Sequence, residues 1–266
     1  MRSEKMTTAR LRQLKRAGRN IVMLTAYDWP TAKMLDECGV DIILVGDSLG
    51  NVVLGYENTL PVTMDEMIMH SKAVRRGVGN AMLVIDMPFM SYQVNPEEAL
   101  LNASRFVKEA GAQAVKIEGD AYIDSIKAII KAGIPVMGHL GFTPQLLNQI
   151  GGYAVKGSSK SEARALIEAA KALEKAGVFA LVLEMVPSAL AKKISSILKR
   201  PVIGIGAGPF CDGQVLVTHD LVGLYPGHVP RFVKQYADLG KAFKEAISTF
   251  VWDVHSGKFP AKEQSY

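Results

Sequence analysis

The chain has 266 residues, of which 48% are apolar and 21% charged, with 24 glycines and 12 prolines. This composition is typical of a globular protein and excludes collagen-like, disordered and disulfide-rich chains. Lysine and arginine exceed aspartate and glutamate by 31 to 26, a net charge of +5. The basic residues alternate with acids, so we expect no nucleic-acid partner. No apolar run approaches the ~20 residues that cross a bilayer, so we expect no membrane association.

The predicted elements begin with a short amphipathic helix in an N-terminal extension over residues 1–20, with Leu11 and Leu14 on its apolar side. Eight apolar runs of β type follow, and almost every one leads into a helical stretch. The predicted strands are 21–27, 41–46, 81–85, 114–117, 135–138, 179–183, 201–205 and 215–218.

Helix boundary signals separate these runs. Thr63 is a good N-cap, Pro96 opens a helix and Gly111 closes it. The predicted helices are 30–38, 63–76, 96–111, 122–132, 161–176, 188–198 and 236–255.

The predicted strands are continuous apolar runs, which is typical of parallel strands buried on both faces. Eight strand–helix units in about 240 residues predict a (β/α)8 TIM barrel with a short N-terminal helix. Since no linker interrupts the pattern, we expect residues 1–266 to form a single domain. A doubly wound open sheet is the alternative. It would carry a glycine-rich phosphate loop after the first strand, where this chain has residues 25–28, Thr-Ala-Tyr-Asp.

Polar and charged side chains stand at the carboxyl ends of the predicted strands, where barrel enzymes place their active sites. They are Asp47, Ser48, Asp86, Lys116, Glu118, His139 and Glu184. Because apolar runs precede them, an uncompensated charge there costs several kcal/mol. Clustered carboxylates favour Mg²⁺ or Mn²⁺ over Zn²⁺, so we predict a divalent metal held by Asp47, Asp86 and Glu118.

Such a metal keeps open positions that the carboxylate and keto oxygens of a 2-oxo acid can fill. Lys116, two residues before Glu118 on the same strand face, would add positive charge near the substrate. Glu184 is a candidate general base. His139 is a substrate contact, an orienting partner of a carboxylate or a structural hydrogen-bonder. Each acid also has a structural alternative, as a helix cap or a salt-bridge partner.

Longer segments of the chain add a family resemblance. They are residues 23–28, 45–50, 63–67, 75–77, 86–89, 115–119, 138–141, 143–145, 204–208 and 212–217, with His70 and Glu184. In this order, from about residue 7 onward, they resemble the ketopantoate hydroxymethyltransferase family. The departures, at Gln264 and at residues 221–222, lie away from the proposed site.

The resemblance implies a cytoplasmic barrel enzyme that forms a homodecamer from two five-membered rings. The family's Mg²⁺ ligands correspond to Asp47, Asp86 and Glu118, and its proton acceptor to Glu184. Its substrate contacts correspond to Asp47, Ser48, Asp86 and Lys116. The implied reaction transfers a one-carbon unit from 5,10-methylenetetrahydrofolate to 3-methyl-2-oxobutanoate and gives 2-dehydropantoate in pantothenate biosynthesis.

Two other interpretations remain open. A metal-dependent C–C lyase or phosphomutase of the phosphoenolpyruvate mutase and isocitrate lyase type would share the barrel and the acids. It should carry a reactive cysteine in a gating loop after a strand, and we identify none. Cys211 follows the glycine-rich segment 204–208, but no adjacent histidine supports it as a nucleophile. A non-catalytic, metal-stabilised scaffold is the third interpretation.

Overall fold

A computed structural model of the chain describes residues 4–152 and 154–266. Eight strands alternate with helices. The strands are β1 Ile21–Thr25, β2 Ile42–Val45, β3 Met82–Asp86, β4 Ala114–Glu118, β5 Val136–Gly141, β6 Ala180–Glu184, β7 Val202–Ile205 and β8 Gly213–Leu216. The helices are α1 Thr8–Arg16, α2 Trp29–Glu37, α3 Leu49–Val52, α4 Met64–Gly77, α5 Pro96–Ala110, α6 Ile123–Lys131, α7 Leu147–Ile150, α8 Lys160–Ala176, α9 Ser188–Ile197, α10 Thr218–Leu221 and α11 Leu239–His255.

The strands form a closed parallel barrel in sequence order, β1 to β8, in which β8 pairs with β1. This confirms the predicted (β/α)8 barrel and its N-terminal helix, and it excludes the open doubly wound sheet. The predicted helix signals are also confirmed. Thr63 caps α4 in a reciprocal capping box with Glu66, and Gly111 ends α5 in the left-handed conformation.

Alternate residues of the strands fill the barrel interior. This inner cluster is built from Ile21, Met23, Ile42, Leu44, Met82, Val84, Ala114, Met137, Ala180, Val182, Ile203 and Val215. Leu11 and Leu14 of α1 and the nearby Met6 belong to the same cluster. Met6 N–H donates to the carbonyl of Asn80, just before β3, and Lys15 pairs with Asp212, just before β8. The N-terminal helix therefore covers the amino end of the barrel and does not cover the carboxyl end.

The chain divides into two compact units, Met1–Val217 and Thr218–Tyr266. The first holds all eight strands. The second holds α10, α11 and a short 3-10 turn, and Asp238 caps α11 by accepting from Lys241 N–H. The single domain over 1–266 stays a prediction. Among the helices that the structure describes, none has the length and apolar character needed to cross a membrane.

The strand ends differ from the sequence predictions by up to three residues, and the eighth and fifth strands show why. The eighth strand begins two residues early, at Gly213, because residues 213–214 pair with both β1 and β7, and Thr218 already begins a helix. The fifth strand continues past 138 to Gly141, since its last three residues pair with Val182, Leu183 and Glu184. Residues 1–3 of the predicted N-terminal extension lie outside the described residues.

Candidate active site

The alternation that fills the barrel interior also orients the polar side chains above it. In β4, Ala114 faces the interior, so Lys116 and Glu118 face the same way, two and four residues further on. The same parity applies to Asp86 after Val84, to His139 after Met137 and to Glu184 after Val182. Five predicted site residues therefore form the layer directly above the apolar core, at the carboxyl end.

Strand register brings these residues into contact in pairs. Asp86 lies opposite Lys116, and Glu118 lies opposite His139. Lys116 Nζ is 2.8 Å from Asp86 Oδ1 and 4.0 Å from Glu118 Oε1. His139 Nδ1 is 3.1 Å from Glu118 Oε1. All four residues are 2–6% exposed, so these charges interact with little screening by water.

Asp47 and Ser48 reach the site from the turn that follows β2. Asp47 is 4% exposed, and its N–H donates to Asp86 Oδ2 at 3.2 Å. Ser48 Oγ is 2.8 Å from the hydroxyl of Tyr27. Gly46 allows Ser48 and Asp86 to approach the backbone closely, since a Cβ there would lie 2.7 Å from Ser48 Oγ and 3.5 Å from Asp86 Oδ2.

Glu184 is joined to the cluster through His139. Its Oε2 lies 3.3 Å from His139 Nε2, while Nδ1 of the same ring faces Glu118. The imidazole therefore lies between two carboxylates, which fixes its orientation. Glu184 is more accessible than the other acids, with 16% of its side chain exposed. The structure thus brings all seven predicted residues to the same end of the barrel.

Burial and mutual charge shift the pKa values of the cluster. Burial raises the pKa of Asp47 well above its usual range, and Asp86 and Glu118 raise it further. Burial also raises the pKa of Asp86, against the opposing effect of Lys116. Burial would raise the pKa of Glu118 too, but His139 and Lys116 outweigh it and the pKa is lowered.

The surrounding carboxylates raise the pKa values of the two basic groups, Lys116 and His139. Burial lowers the pKa of Lys116, but Asp86, Glu118 and Asp47 outweigh it, so the pKa is raised. Burial and Lys116 lower the pKa of His139, but Glu118 and Glu184 raise it to about 9. Both side chains therefore carry positive charge at neutral pH.

Counted over the predicted site residues, four carboxyl groups face two basic groups. The cluster is therefore short of positive charge, as the raised pKa values of Asp47 and Asp86 indicate. However, within residues 4–152 and 154–266 no three His, Cys, Asp or Glu side chains form a ready metal-binding group. Lys116 pairs with Asp86, and other partners occupy Glu118. The metal role of the three predicted carboxylates stays a prediction.

Sequence reasoning missed two uncharged residues at the centre of the cluster, Gln145 and Tyr92. Gln145 Nε2 donates to Asp47 Oδ2 at 2.8 Å, and its backbone N–H donates to Glu118 Oε2 at 3.0 Å. Tyr92 OH donates to Gln145 Oε1 at 2.7 Å. A search for charges at strand ends does not find them, because both are neutral and lie in loops. The one available signal was that Gln145 belongs to a segment matching the family.

The backbone at position 141 requires a glycine. It has φ +99°, and a Cβ there would overlap the carbonyl oxygen of Glu184, which accepts from Phe142 N–H at 2.8 Å. We expect Gly141→Ala to lower the free energy of unfolding by more than the about 1–2 kcal/mol that left-handed backbone alone costs. Urea denaturation measures this.

The matched control is Gly39→Ala, because Gly39 has φ +82° and a Cβ there would meet nothing within 4 Å. Gly39→Ala therefore has the strain of left-handed backbone without an overlap between its Cβ and another atom. Equal losses in the two variants would show that the close approach of Gly141 to Glu184 has no energetic consequence.

The fold and the site define an α/β-barrel enzyme with a buried acidic centre at the carboxyl end of its strands. Solved structures of similar fold include phosphoenolpyruvate phosphomutase from Streptomyces platensis subsp. rosaceus, with a TM-score of 0.64. It is 17% identical, over 94% of this chain and 88% of that chain. At this identity the likeness concerns the fold alone.

The chain belongs to the ketopantoate hydroxymethyltransferase family, whose model matches residues 5–262. A relative from Thermoanaerobacter sp. (strain X514), named 3-methyl-2-oxobutanoate hydroxymethyltransferase, is 56% identical over 99% of this chain and 96% of its own length. One of the same name from Caldicellulosiruptor saccharolyticus is 56% identical over 98% of this chain and 99% of its own. The resemblance predicted from the sequence is confirmed.

Proposed function

We propose that this protein transfers a hydroxymethyl group from 5,10-methylenetetrahydrofolate to 3-methyl-2-oxobutanoate and gives 2-dehydropantoate for pantothenate synthesis. The observation that carries the proposal is membership of the family over nearly the whole chain, with relatives at 56% identity named for this transfer. The buried acidic centre at the carboxyl end of the barrel supports the proposal independently. It provides carboxylates that can hold a metal and a further carboxylate, Glu184, that can act as a base.

The proposal includes one divalent ion, Mg²⁺, held by Asp47, Asp86 and Glu118. The residues fit such an ion in chemistry, because they offer oxygen donors, as Mg²⁺ prefers. They fit it in charge, because the carboxyl groups outnumber the basic groups around them. When bound, Mg²⁺ would polarise the keto oxygen of the substrate as a Lewis acid.

The chain's own residues perform the remaining steps. Lys116 and the Ser48 hydroxyl bind and orient the oxo acid, and His139 lines the same pocket. Lys116 keeps its proton and places positive charge where negative charge develops on the substrate. Glu184 removes the proton from C3, and C3 then forms a bond to the one-carbon unit. In the complete transfer both bonds of that carbon to folate nitrogens break, water supplies the hydroxyl group, and tetrahydrofolate leaves with the protons from C3 and from water on its two nitrogens. His139 places its positive charge beside Glu184, because Glu118 faces Nδ1 of the ring and Nε2 lies 3.3 Å from Glu184 Oε2.

The experiment that tests this function is proton NMR of 3-methyl-2-oxobutanoate in D₂O. Enzyme with Mg²⁺ should exchange the C3 proton for deuterium without folate. Addition of 5,10-methylenetetrahydrofolate should then convert the oxo acid to 2-dehydropantoate. Absence of exchange with and without Mg²⁺ would favour a non-catalytic scaffold.

The lyase or phosphomutase alternative has less support. The structural neighbours that carry such names are 15–17% identical and bear on the fold alone. Burial, together with Asp212, raises the pKa of Cys211 to about 11, so this thiol stays protonated and is a poor nucleophile or acid. Cleavage of an oxo acid by the protein in the absence of folate would support the lyase alternative.

We also propose that the protein is a cytoplasmic homo-oligomer, a decamer as the family resemblance implies. Both cysteines are free thiols, as a reducing compartment requires. The apolar side of α11 supports assembly with other copies of this chain. Phe243, Ile247, Phe250, Val251 and Val254 recur at helical spacing and are all exposed.

We expect the double variant Phe243→Asp/Ile247→Asp to form smaller assemblies than the unmodified protein. Two carboxylates on this apolar face would be costly to bury against another copy. Light scattering after size-exclusion chromatography measures the mass. Ser248→Asp adds a charge to an exposed polar position of the same helix and should leave the mass unchanged. An unchanged mass in the double variant would contradict the role of α11.

A further inference from the structure

Gln145 occupies the point where two strands bring their carboxylates together. It lies in the 3-10 turn Pro144–Leu146 after β5 and is 3% exposed. Through its side chain and its backbone it reaches Asp47, after β2, and Glu118, at the end of β4. One residue thus contacts two of the three carboxylates proposed to hold the metal.

The hydrogen bonds of the Gln145 amide allow a single orientation. Nε2 faces two acceptors, Asp47 Oδ2 at 2.8 Å and the carbonyl of Met87 at 2.9 Å. Oε1 faces two donors, Tyr92 OH at 2.7 Å and Gln93 Nε2 at 3.3 Å. A flipped amide would place its oxygen against two acceptors and its NH₂ against a second amide NH₂. The Gln145 side chain is therefore locked as a donor to Asp47.

Tyr92 sets the direction of this chain of hydrogen bonds. Its hydroxyl oxygen accepts from the backbone N–H of Glu118 at 3.3 Å. Gln145 Oε1, at 2.7 Å, is a closer acceptor than the Glu118 carbonyl, at 3.4 Å, so the hydroxyl proton is directed to Gln145. The ring is held edge-on against Tyr122, with centroids 5.3 Å apart, and the side chain is 1% exposed. Backbone of β4, Tyr92, Gln145 and Asp47 thus form one continuous chain with a fixed polarity.

We propose that Gln145 is a positioning residue that fixes the orientation and spacing of the Asp47 and Glu118 carboxylates for a divalent cation, and that Tyr92 locks it in the donating orientation. This role rests on the metal site of the proposed function. Gln145 acts through Asp47 and Glu118 rather than on the substrate, since protein groups already occupy both the NH₂ and the oxygen of its amide. Partners that orient metal ligands in this way typically contribute 10–100-fold to metal affinity.

The test measures the binding of Mn²⁺ alone by isothermal titration calorimetry, without oxo acid or folate. Gln145→Met removes the donor facing Asp47 without adding a charge, and we expect the Kd for Mn²⁺ to rise about 10–100-fold. Tyr92→Phe keeps the ring contact and removes only the hydroxyl, and it should raise the Kd by a smaller factor. Tyr92→Phe also tests the proposal by itself if Gln145→Met does not fold.

The matched control is Gln113→Met. Gln113 also uses its side-chain oxygen structurally, accepting from Leu83 N–H at 3.0 Å, but at the opposite end of the barrel. Its replacement should lower the unfolding temperature and leave the Kd for Mn²⁺ unchanged. In steady-state kinetics, Tyr92→Phe should raise the Mn²⁺ concentration needed for half-maximal rate more than it lowers kcat.

The outcomes separate this role from the proposed function. If the unmodified protein binds no Mn²⁺, the metal site fails and the role of Gln145 fails with it. If the unmodified protein binds Mn²⁺ and both Gln145→Met and Tyr92→Phe bind it equally well, only the positioning role is overturned. A loss of affinity no larger than that of Gln113→Met would overturn it as well.

Discussion

Glu184→Gln is expected to slow exchange of the C3 proton of 3-methyl-2-oxobutanoate by about 10²–10⁴-fold, the usual contribution of a positioned general base. Glutamine keeps the shape of the side chain and can still lie beside His139 Nε2, but it cannot take up a proton. Glu184 is also the most accessible acid of the cluster, so a substrate above the barrel core can reach it. Deuterium incorporation followed by NMR measures the rate.

The same variant should bind Mg²⁺ and the oxo acid as well as the unmodified protein does, because Glu184 is not among the proposed metal ligands. Glu168→Gln serves as the control, since Glu168 is exposed and pairs with Lys171 on the surface. It should leave the exchange rate unchanged. Normal exchange in Glu184→Gln would eliminate Glu184 as the base.

Lys116→Met should destabilise the folded protein by about 3–5 kcal/mol, the usual result of removing one partner of a buried ion pair. Lys116 is the ammonium closest to Asp86 and also lies within ion-pair distance of Glu118. Methionine fills similar volume but leaves these buried carboxylates without that charge. Urea denaturation in the presence of a chelator measures the loss of stability.

Addition of Mg²⁺ to Lys116→Met should recover part of this stability, because a ligand that binds only the folded state stabilises it. Lys127→Met is the control, since Lys127 forms an exposed pair with Asp124 and its removal should leave the denaturation midpoint unchanged. A midpoint for Lys116→Met equal to that of the control would contradict the electrostatic account of the site.

The barrel was predictable because its signals are local. Apolar runs, caps such as Thr63 and the helix end at Gly111 are each decided within a few residues. The eighth strand was misplaced by two residues, because Gly213 and Gln214 are not apolar and join the sheet only through their pairing with β1 and β7. Pairing with distant strands overrides composition at such edges.

The charged part of the site was predictable for a related reason. A polar residue after an apolar strand lies at the carboxyl end of a parallel barrel, whatever its neighbours are. Asp86, Lys116 and Glu118 also keep the inward parity of their strands, which can be counted along the chain. The residue types and their level above the core were thus fixed before any contact was known.

The sequence by itself determined the eight strands, the helices between them and the set of charged side chains at one end of the barrel. The tertiary structure alone decided which of these touch. It joined Glu118 to Glu184 through His139, and it placed Gln145 against Asp47, 98 residues away. Such contacts depend on strand register and barrel closure, which set the distances between side chains on different strands. Neither produces a repeating pattern in the sequence, so the contacts cannot be predicted from it.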